Sequence, residues 1–362
     1  MRKQFPSTIN RLVVKVGSSI LSSDSGKLDE SIVEKIVGQV ASIAQSGKEV
    51  IIVSSGAIPS GISELGAICR PEKISCLQAT AAIGQSILMQ NYMGQFKKKG
   101  LSCAQVLLTW DDFQVRTRYL NAKNTILSLL EYKAIPIINE NDAVSTEEIK
   151  FGDNDRLSAL VASLIEADLL LLLSDVDGLY RGKSKELVSL VEEIDSDIEK
   201  LARDTTRKNI SKGGMISKLE SVSIAAHSQI PSVITNGKTD DVITKVLKGE
   251  EIGTLFMPKK SRMVAKKRWL AFGVKSSGKI VVDDGAKEAL VKGNKSLLCP
   301  GILDAEGLFN AGDIIAIMGK DGKEIAKGRV NFSKEEIMKM KGCRVAKEAV
   351  HRNNLVITLK EI

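Results

Sequence analysis

Two lysines and one aspartate, far apart along the chain, carry the chemistry this sequence offers. Lys15 lies in an apolar run just before a glycine turn, Lys218 follows a glycine pair, and Asp155 closes the stretch Phe151-Gly152-Asp153-Asn154-Asp155. A carboxylate between two ammonium groups stays ionised at neutral pH and organises both lysines around phosphate. Phosphoryl transfer asks a protein mainly for positioning and charge neutralisation, which this set can supply. The turns Gly17-Ser18-Ser19 and Gly213-Gly214 let backbone N–H groups approach phosphate oxygens at helix N-termini. A second polar loop, Asn139-Glu140-Asn141-Asp142, keeps them company. Taken singly, each piece has an ordinary structural explanation: a capped core helix, a solvated strand lysine, a Gly-Gly turn. Their conjunction carries the reading.

Other chemistries find little support. There is no GxxxxGK[ST] stretch and no GxGxxG after the first strand, which argues against P-loop and dinucleotide folds. Only His227 and His351 are available for histidine catalysis, and His227 reads as structural in its helical Ala225-Ala226-His227 setting. A serine or cysteine nucleophile lacks a base.

The elements that must position these residues alternate between strand and helix. A strand over 11–17 delivers Lys15 to its glycine turn, and a helix over 29–45 follows. Strands over 49–54, 103–108, 135–138 and 168–173 are interleaved with helices over 72–99 and 119–132. After the acidic loop 139–153, Leu157, Leu160, Val161 and Leu164 recur at helical spacing behind the Asn154-Asp155 cap. The strand over 168–173 exits through Ser174-Asp175-Val176-Asp177-Gly178-Leu179-Tyr180, and a helix over 215–228 precedes a last core strand over 231–235. This alternation predicts an α/β fold, a three-layer αβα sandwich around a mostly parallel sheet. Ligands in such sheets bind outside the carboxyl ends of the strands, where every polar loop named here falls.

From about residue 257 the texture changes. Lys259, Lys260, Arg262, Lys266, Lys267 and Arg268 form a basic linker, and short strand-like runs over 279–283, 296–298, 313–318, 324–330 and 354–359 suggest a small C-terminal β-barrel. The expected division is a catalytic domain over 1–258, a linker over 259–275 and a β-domain over 276–362.

A chain of 362 residues, 43% hydrophobic and 27% charged, suits a protein of two or three domains. No apolar stretch approaches the roughly 20 residues of a membrane span, and the N-terminus lacks an apolar signal region. The five cysteines, Cys69, Cys76, Cys103, Cys299 and Cys343, are odd in number without CxxC spacing, as expected of a cytoplasmic protein with reduced thiols. The net charge of +8 is uneven: residues 1–258 hold 30 Lys+Arg against 32 Asp+Glu, and residues 259–362 hold 22 against 12. That basic C-terminal part is either a solvated face or a surface for an acidic partner such as RNA. With aromatic residues at 4%, few side chains are available to stack on bases.

Six stretches in order, Val14-Lys15-Val16-Gly17-Ser18, Val53-Ser54-Ser55-Gly56-Ala57-Ile58, Ile138-Asn139-Glu140-Asn141-Asp142, Phe151 to Asp155, Leu173 to Tyr180 and Gly213-Gly214-Met215-Ile216-Ser217-Lys218, resemble the glutamate 5-kinase family of the amino acid kinase superfamily. Gly278 to Gly285, Pro300-Gly301, Gly312-Asp313 and His351-Arg352-Asn353-Asn354 resemble the PUA domain fused to that kinase. Asp177 stands where some members carry other residues, and the tail after Lys341 is short. The resemblance implies an amino acid kinase fold with a PUA-like β-domain. It also implies transfer of phosphate from ATP, with Mg²⁺, to the γ-carboxylate of L-glutamate, the first step toward proline. Lys15 and Lys218 would stabilise the transition state and Asp155 would organise them. Ser55, Asp142 and Asn154 would bind glutamate: Asp142 suits an ammonium, whereas Ser55 and Asn154 can bond carboxylate or ammonium. Lys15, Ser174, Asp175 and the run Lys212, Gly213, Gly214, Met215, Ile216, Ser217, Lys218 would contact ATP. The metal would arrive on the nucleotide rather than on direct protein ligands. Feedback inhibition by proline, a cytoplasmic homo-oligomer (dimer or tetramer) and RNA contact through the PUA part complete the expectation. Kinases acting on acetylglutamate, aspartate or a nucleoside monophosphate would share the phosphate loops but not the Asn-Glu-Asn-Asp loop or the fused PUA domain.

Overall fold

The computed structural model describes residues 2–23, 27–66, 71–145, 154–182, 186–206, 214–259, 267 and 269–358. The chain divides into two compact units, Met1–Asp112 with Arg116–Arg262, and Phe113–Val115 with Met263–Ile362.

The first unit is built on strands β1 (Arg11–Val16), β2 (Glu49–Ser54), β3 (Cys103–Leu108), β4 (Ile135–Glu140), β5 (Leu169–Ser174), β6 (Tyr180–Arg181), β7 (Glu186–Leu187), β8 (Leu190–Val191), β9 (Ser232–Asn236) and β10 (Thr254–Phe256). Eight of them form one sheet in the order β3-β4-β2-β1-β5-β9-β10-β8, and β6 pairs antiparallel with β7 in a separate two-stranded sheet. β1 lies at the centre, parallel to β2 on one side and β5 on the other. β4 and β5 are buried along their whole length, β1 and β2 at every residue after the first. Burial on both faces explains why these strands read as continuous apolar runs rather than alternating ones.

Helix Glu30–Gln45 shows how the covering layers form. The Asp29 carboxylate caps it by accepting from the backbone N–H groups of Ser31 and Ile32. Val33, Ile36, Val37 and Val40 then recur on one face and pack into the core with Val14, Ile52 and Leu171. Helices Ala57–Glu64 and Ile74–Lys98 approach so closely that glycine is required twice. A Cβ on Gly84 would lie 1.8 Å from the Ala57 carbonyl oxygen, and one on Gly61 would lie 1.9 Å from that of Thr80. The helix that starts just after Ser55 is thereby locked against its neighbour.

The observed elements follow the expected ones, with instructive differences. The helix expected over 119–132 begins earlier, as Arg116–Glu131. The strand at 231–235 is not the last of its sheet: β10 pairs antiparallel with β9 and parallel with β8. Strands of two and three residues are too short to show a period, and pairing alone defines them.

The second unit holds β11 (Gly278–Val282), β12 (Ile302–Gly307), β13 (Ile314–Met318), β14 (Glu324–Val330) and β15 (Val350–Ile357), ordered β12-β11-β13-β14-β15. Only β11 and β13 run parallel. Ile280, Val282, Ile315, Ile317, Ile325 and Val350 form its core. The run at 296–298 is a single bridge, Leu297 with Val350, and not a strand. β12 escapes a reading by apolar runs because it buries only Ile302 and Ala305. Helix Lys334–Met340 carries a full capping box between Ser333 and Glu336. Within the segment expected as linker, Leu270, Ala271 and Val274 are buried with Ile314 and Val356.

Candidate active site

The parallel registers gather the chemistry at one end of the sheet. Val16 pairs with Ser54 on one side and with Leu173 on the other, so the chain leaves β1, β2 and β5 at a common level. Lys15 is the penultimate residue of β1, Ser55 follows β2, and Ser174 ends β5. Helix Asn154–Leu164 starts at the same end with its first two residues buried.

Asp155 is the hub. Lys15 Nζ lies 2.6 Å from Asp155 Oδ1, and Lys218 Nζ donates to Oδ2 at 3.1 Å. The Ser217 hydroxyl also reaches Oδ2 at 3.1 Å. All three charged groups are nearly sequestered, with Asp155 2%, Lys218 5% and Lys15 6% exposed. Burial alone pushes the Asp155 carboxyl pKa up, but the two ammonium groups and their hydrogen bonds outweigh it and hold the value at about 2. The trio thus carries two positive charges and one negative in a low-dielectric setting, an arrangement complementary to an anion.

Backbone geometry extends that complementarity. Lys218 sits in the first turn of helix Met215–His227, which Gly214 precedes as N-cap. The first turn of a helix, with its N–H groups and positive dipole end, favours an anion. Across the site, Gly17 lies against the lysine head: a Cβ there would sit 3.4 Å from Lys15 Nζ, in van der Waals contact with it. Met215 is buried and Ile216 is 41% exposed on the same turn.

Asn154, the neighbour of Asp155, belongs to a different network. Its Nδ2 donates to Ser55 Oγ at 2.9 Å and to Asn139 Oδ1 at 2.9 Å. Asn139 in turn donates to Gln85 Oε1 at 2.8 Å. Glu140, buried at the end of β4, accepts from the Ser145 hydroxyl at 2.9 Å. Asp142 stands on the turn after β4, half-buried. The exit loop of β5 is internally tied: Ser174 Oγ donates to Asp175 Oδ1 at 3.1 Å, Tyr180 OH to Asp177 Oδ2 at 2.7 Å, and Asn236 Nδ2 to Asp177 Oδ1 at 3.0 Å. The hydrogen bonds from Tyr180 and then Asn236 lower the Asp177 pKa.

The structure therefore brings Lys15, Asp155, Ser217 and Lys218 together, and separately Ser55 and Asn154. Phe151, Gly152, Asp153, Lys212 and Gly213 lie outside the described residues. Sequence reasoning missed Ser217 as a partner of Asp155, although its place beside Lys218 was a signal. It missed Gln85 altogether, because a glutamine inside a long helix carries no local mark. Among the described residues no group of three or more His, Cys, Asp or Glu side chains could hold a metal ion.

The amino acid kinase family model matches residues 10–236, and the PUA domain model matches residues 278–351. A protein named glutamate 5-kinase from Caldanaerobacter subterraneus subsp. tengcongensis is 45% identical, over 96% of this chain and 97% of its own length. Proteins of the same name from Thermoanaerobacter sp. (strain X514) and Pelobacter propionicus are 43% and 42% identical, covering 96% and 99% of this chain and 97% and 100% of theirs. With a lysine pair clamped on one aspartate in the matched segment and relatives aligned along nearly its whole length, this chain belongs to the glutamate 5-kinases, within the amino acid kinase family, and carries a PUA domain.

Proposed function

We propose that this protein transfers the γ-phosphoryl group of ATP to the γ-carboxylate of L-glutamate, releasing ADP and γ-glutamyl phosphate, the first step of proline biosynthesis. One observation supports this most directly. Two consecutive residues on one helix serve two subsites: Asp155 grips the lysine pair, and Asn154 turns to Ser55 and Asn139. A phosphate site and an amino-acid site are thus held in fixed relation by a single turn of backbone, as in-line transfer between two bound substrates demands.

In this reading Lys15 and Lys218 neutralise charge that builds on the transferring phosphoryl group and the leaving ADP oxygen. Asp155 holds both heads in place without touching the reacting atoms. The N–H groups of the turn into helix Met215–His227 and Ser174 with Asp175 seat the nucleotide, joined by Lys212 and Gly213. Mg²⁺ would be held by the ATP phosphates rather than by these side chains and would supply further charge neutralisation there. Both Asp155 oxygens already face lysines, which leaves that carboxylate committed to ammonium groups. Ser55, Asp142 and Asn154 bind glutamate. Proline, which shares the α-carboxylate and ammonium, competes there as a feedback inhibitor, and the working protein is a cytoplasmic homo-oligomer. The basic charge of residues 259–362 offers RNA a weak, salt-sensitive surface.

The test is ATP turnover with Mg²⁺ across a panel of amino acids, with hydroxylamine to trap acyl phosphate. Hydroxamate is expected from L-glutamate and not from aspartate or N-acetylglutamate; turnover only with another acceptor would refute the glutamate assignment. Asp142→Ala is expected to raise the KM for glutamate by about 10²-fold, the loss of one charge-assisted contact, with the KM for ATP little changed. Equal rises in both constants would remove Asp142 from the amino-acid site.

A further inference from the structure

Three side-chain amides, those of Gln85, Asn139 and Asn154, form a chain whose polarity is set by a group that cannot flip. The backbone N–H of Glu140 donates to Asn139 at 2.9 Å, so the atom that receives it is the carbonyl oxygen Oδ1. Asn154 meets that same oxygen at 2.9 Å and must present Nδ2 to it. The other Nδ2 hydrogen of Asn154 goes to Ser55 Oγ, also at 2.9 Å. At the far end of the Asn139 amide, Nδ2 donates to Gln85 Oε1 at 2.8 Å. Asn139 is 1% exposed and Asn154 8% exposed.

Two buried atoms are left over. Among the described residues, Asn154 Oδ1, an acceptor, and Gln85 Nε2, a donor, have no hydrogen-bond partner. Nearly all buried polar atoms in folded proteins are paired, so the unpaired Asn154 Oδ1, next to Ser55, points to a ligand. The place of Gln85 is itself fixed, because the preceding Gly84 packs directly on the Ala57 carbonyl in the helix that follows Ser55.

We propose that Gln85 is a positioning residue for the amino-acid substrate. It anchors Asn139, Asn139 holds the Asn154 amide, and Asn154 thereby turns Oδ1 toward the substrate ammonium. Ser55 Oγ, already accepting from Asn154, keeps its own hydroxyl hydrogen for a substrate carboxylate. The assignment rests on the glutamate reading above and adds to it a residue that touches no substrate. Without the Gln85 oxygen, Asn139 Nδ2 becomes a stranded donor. Flipping the Asn139 amide to relieve it would set that donor against the Glu140 N–H and Asn154 Nδ2, so the amide has no relaxed orientation.

The experiment compares wild type, Gln85→Met, Asn139→Ala and the double variant. Methionine keeps the length and volume of glutamine but offers only a weak sulfur acceptor. Gln85→Met is expected to raise the KM for glutamate about tenfold, while kcat and the KM for ATP stay within about twofold. Added to Asn139→Ala it is expected to change the glutamate KM no further, since it acts through Asn139. Calorimetric titration with L-glutamate reads the same shift in Kd for any variant whose turnover is too slow to follow. An unchanged glutamate affinity in Gln85→Met, equal rises for glutamate and ATP, or effects that multiply in the double variant would each overturn the proposal. Wild type that forms no γ-glutamyl hydroxamate overturns the glutamate reading instead, so the two failures are distinguishable.

Discussion

Asp155→Asn is expected to unfold about 3 kcal/mol more easily than wild type at pH 7 and to lose at least about 10³-fold in kcat. The stability loss follows from charge. In wild type one carboxylate, 2% exposed, faces two ammonium groups that are themselves almost fully buried. An amide of the same shape keeps the packing but leaves two like charges facing each other without compensation, in a setting where water cannot take over. The catalytic loss follows from geometry, because repelled lysines no longer converge on one phosphoryl group. Denaturant unfolding and steady-state kinetics measure the two effects separately.

The pH dependence gives that prediction a sign. Asp155 has its carboxyl pKa lowered from 3.8 to about 2 in the folded state. A depressed folded-state pKa means the unfolded chain binds the proton more readily. The ion-paired carboxylate therefore contributes its full stabilisation above about pH 4 and loses it as pH falls toward 2, by roughly 2 kcal/mol in all. The stability advantage of wild type over Asp155→Asn is expected to be constant from pH 7 to 5 and to narrow in acid below pH 4. An advantage that persists undiminished at pH 2 would show that the carboxylate owes nothing to its ionised form.

Lys218→Ala should separate chemistry from folding. Asp155 retains Lys15 at 2.6 Å, so the remaining pair is charge-balanced, and the melting temperature is expected to stay near that of wild type. The charge that Lys218 meets grows only as the phosphoryl group transfers, so its loss should appear in kcat, by about 10²–10³-fold. The KM values for ATP and glutamate should move far less. A variant with normal kcat would place Lys218 outside the reaction and reduce it to a structural partner of Asp155. Lys218→Ala and Asp155→Asn thus form a contrast: the first costs rate alone, the second rate and stability together.

Much of this molecule is legible in its residues taken in order. Leu169-Leu170-Leu171-Leu172-Leu173 can only be a strand buried on both faces, and the structure buries every one of them. The same holds for the helix of Val33, Ile36, Val37 and Val40, whose spacing states its buried side. Asp155 with Lys15 and Lys218 was readable because charged residues beside glycine turns stand out against apolar strands. The short β8 and β10, and β12 with its sparse apolar positions, were not readable, since each is defined by its neighbour rather than by its own pattern.

The sequence by itself determined the parallel αβα layout and the residue types of the lysine–aspartate cluster, because these depend on local periodicity and local charge. Only the tertiary structure decided which end of the amide chain accepts and which donates. That polarity comes from the Glu140 backbone N–H, from Asn139 on the same strand end, and from Gln85 on a helix 54 residues away in sequence from Asn139. A hydrogen bond has direction, and direction passes between side chains only when folding puts them within 3 Å of one another. No spacing along the chain records it.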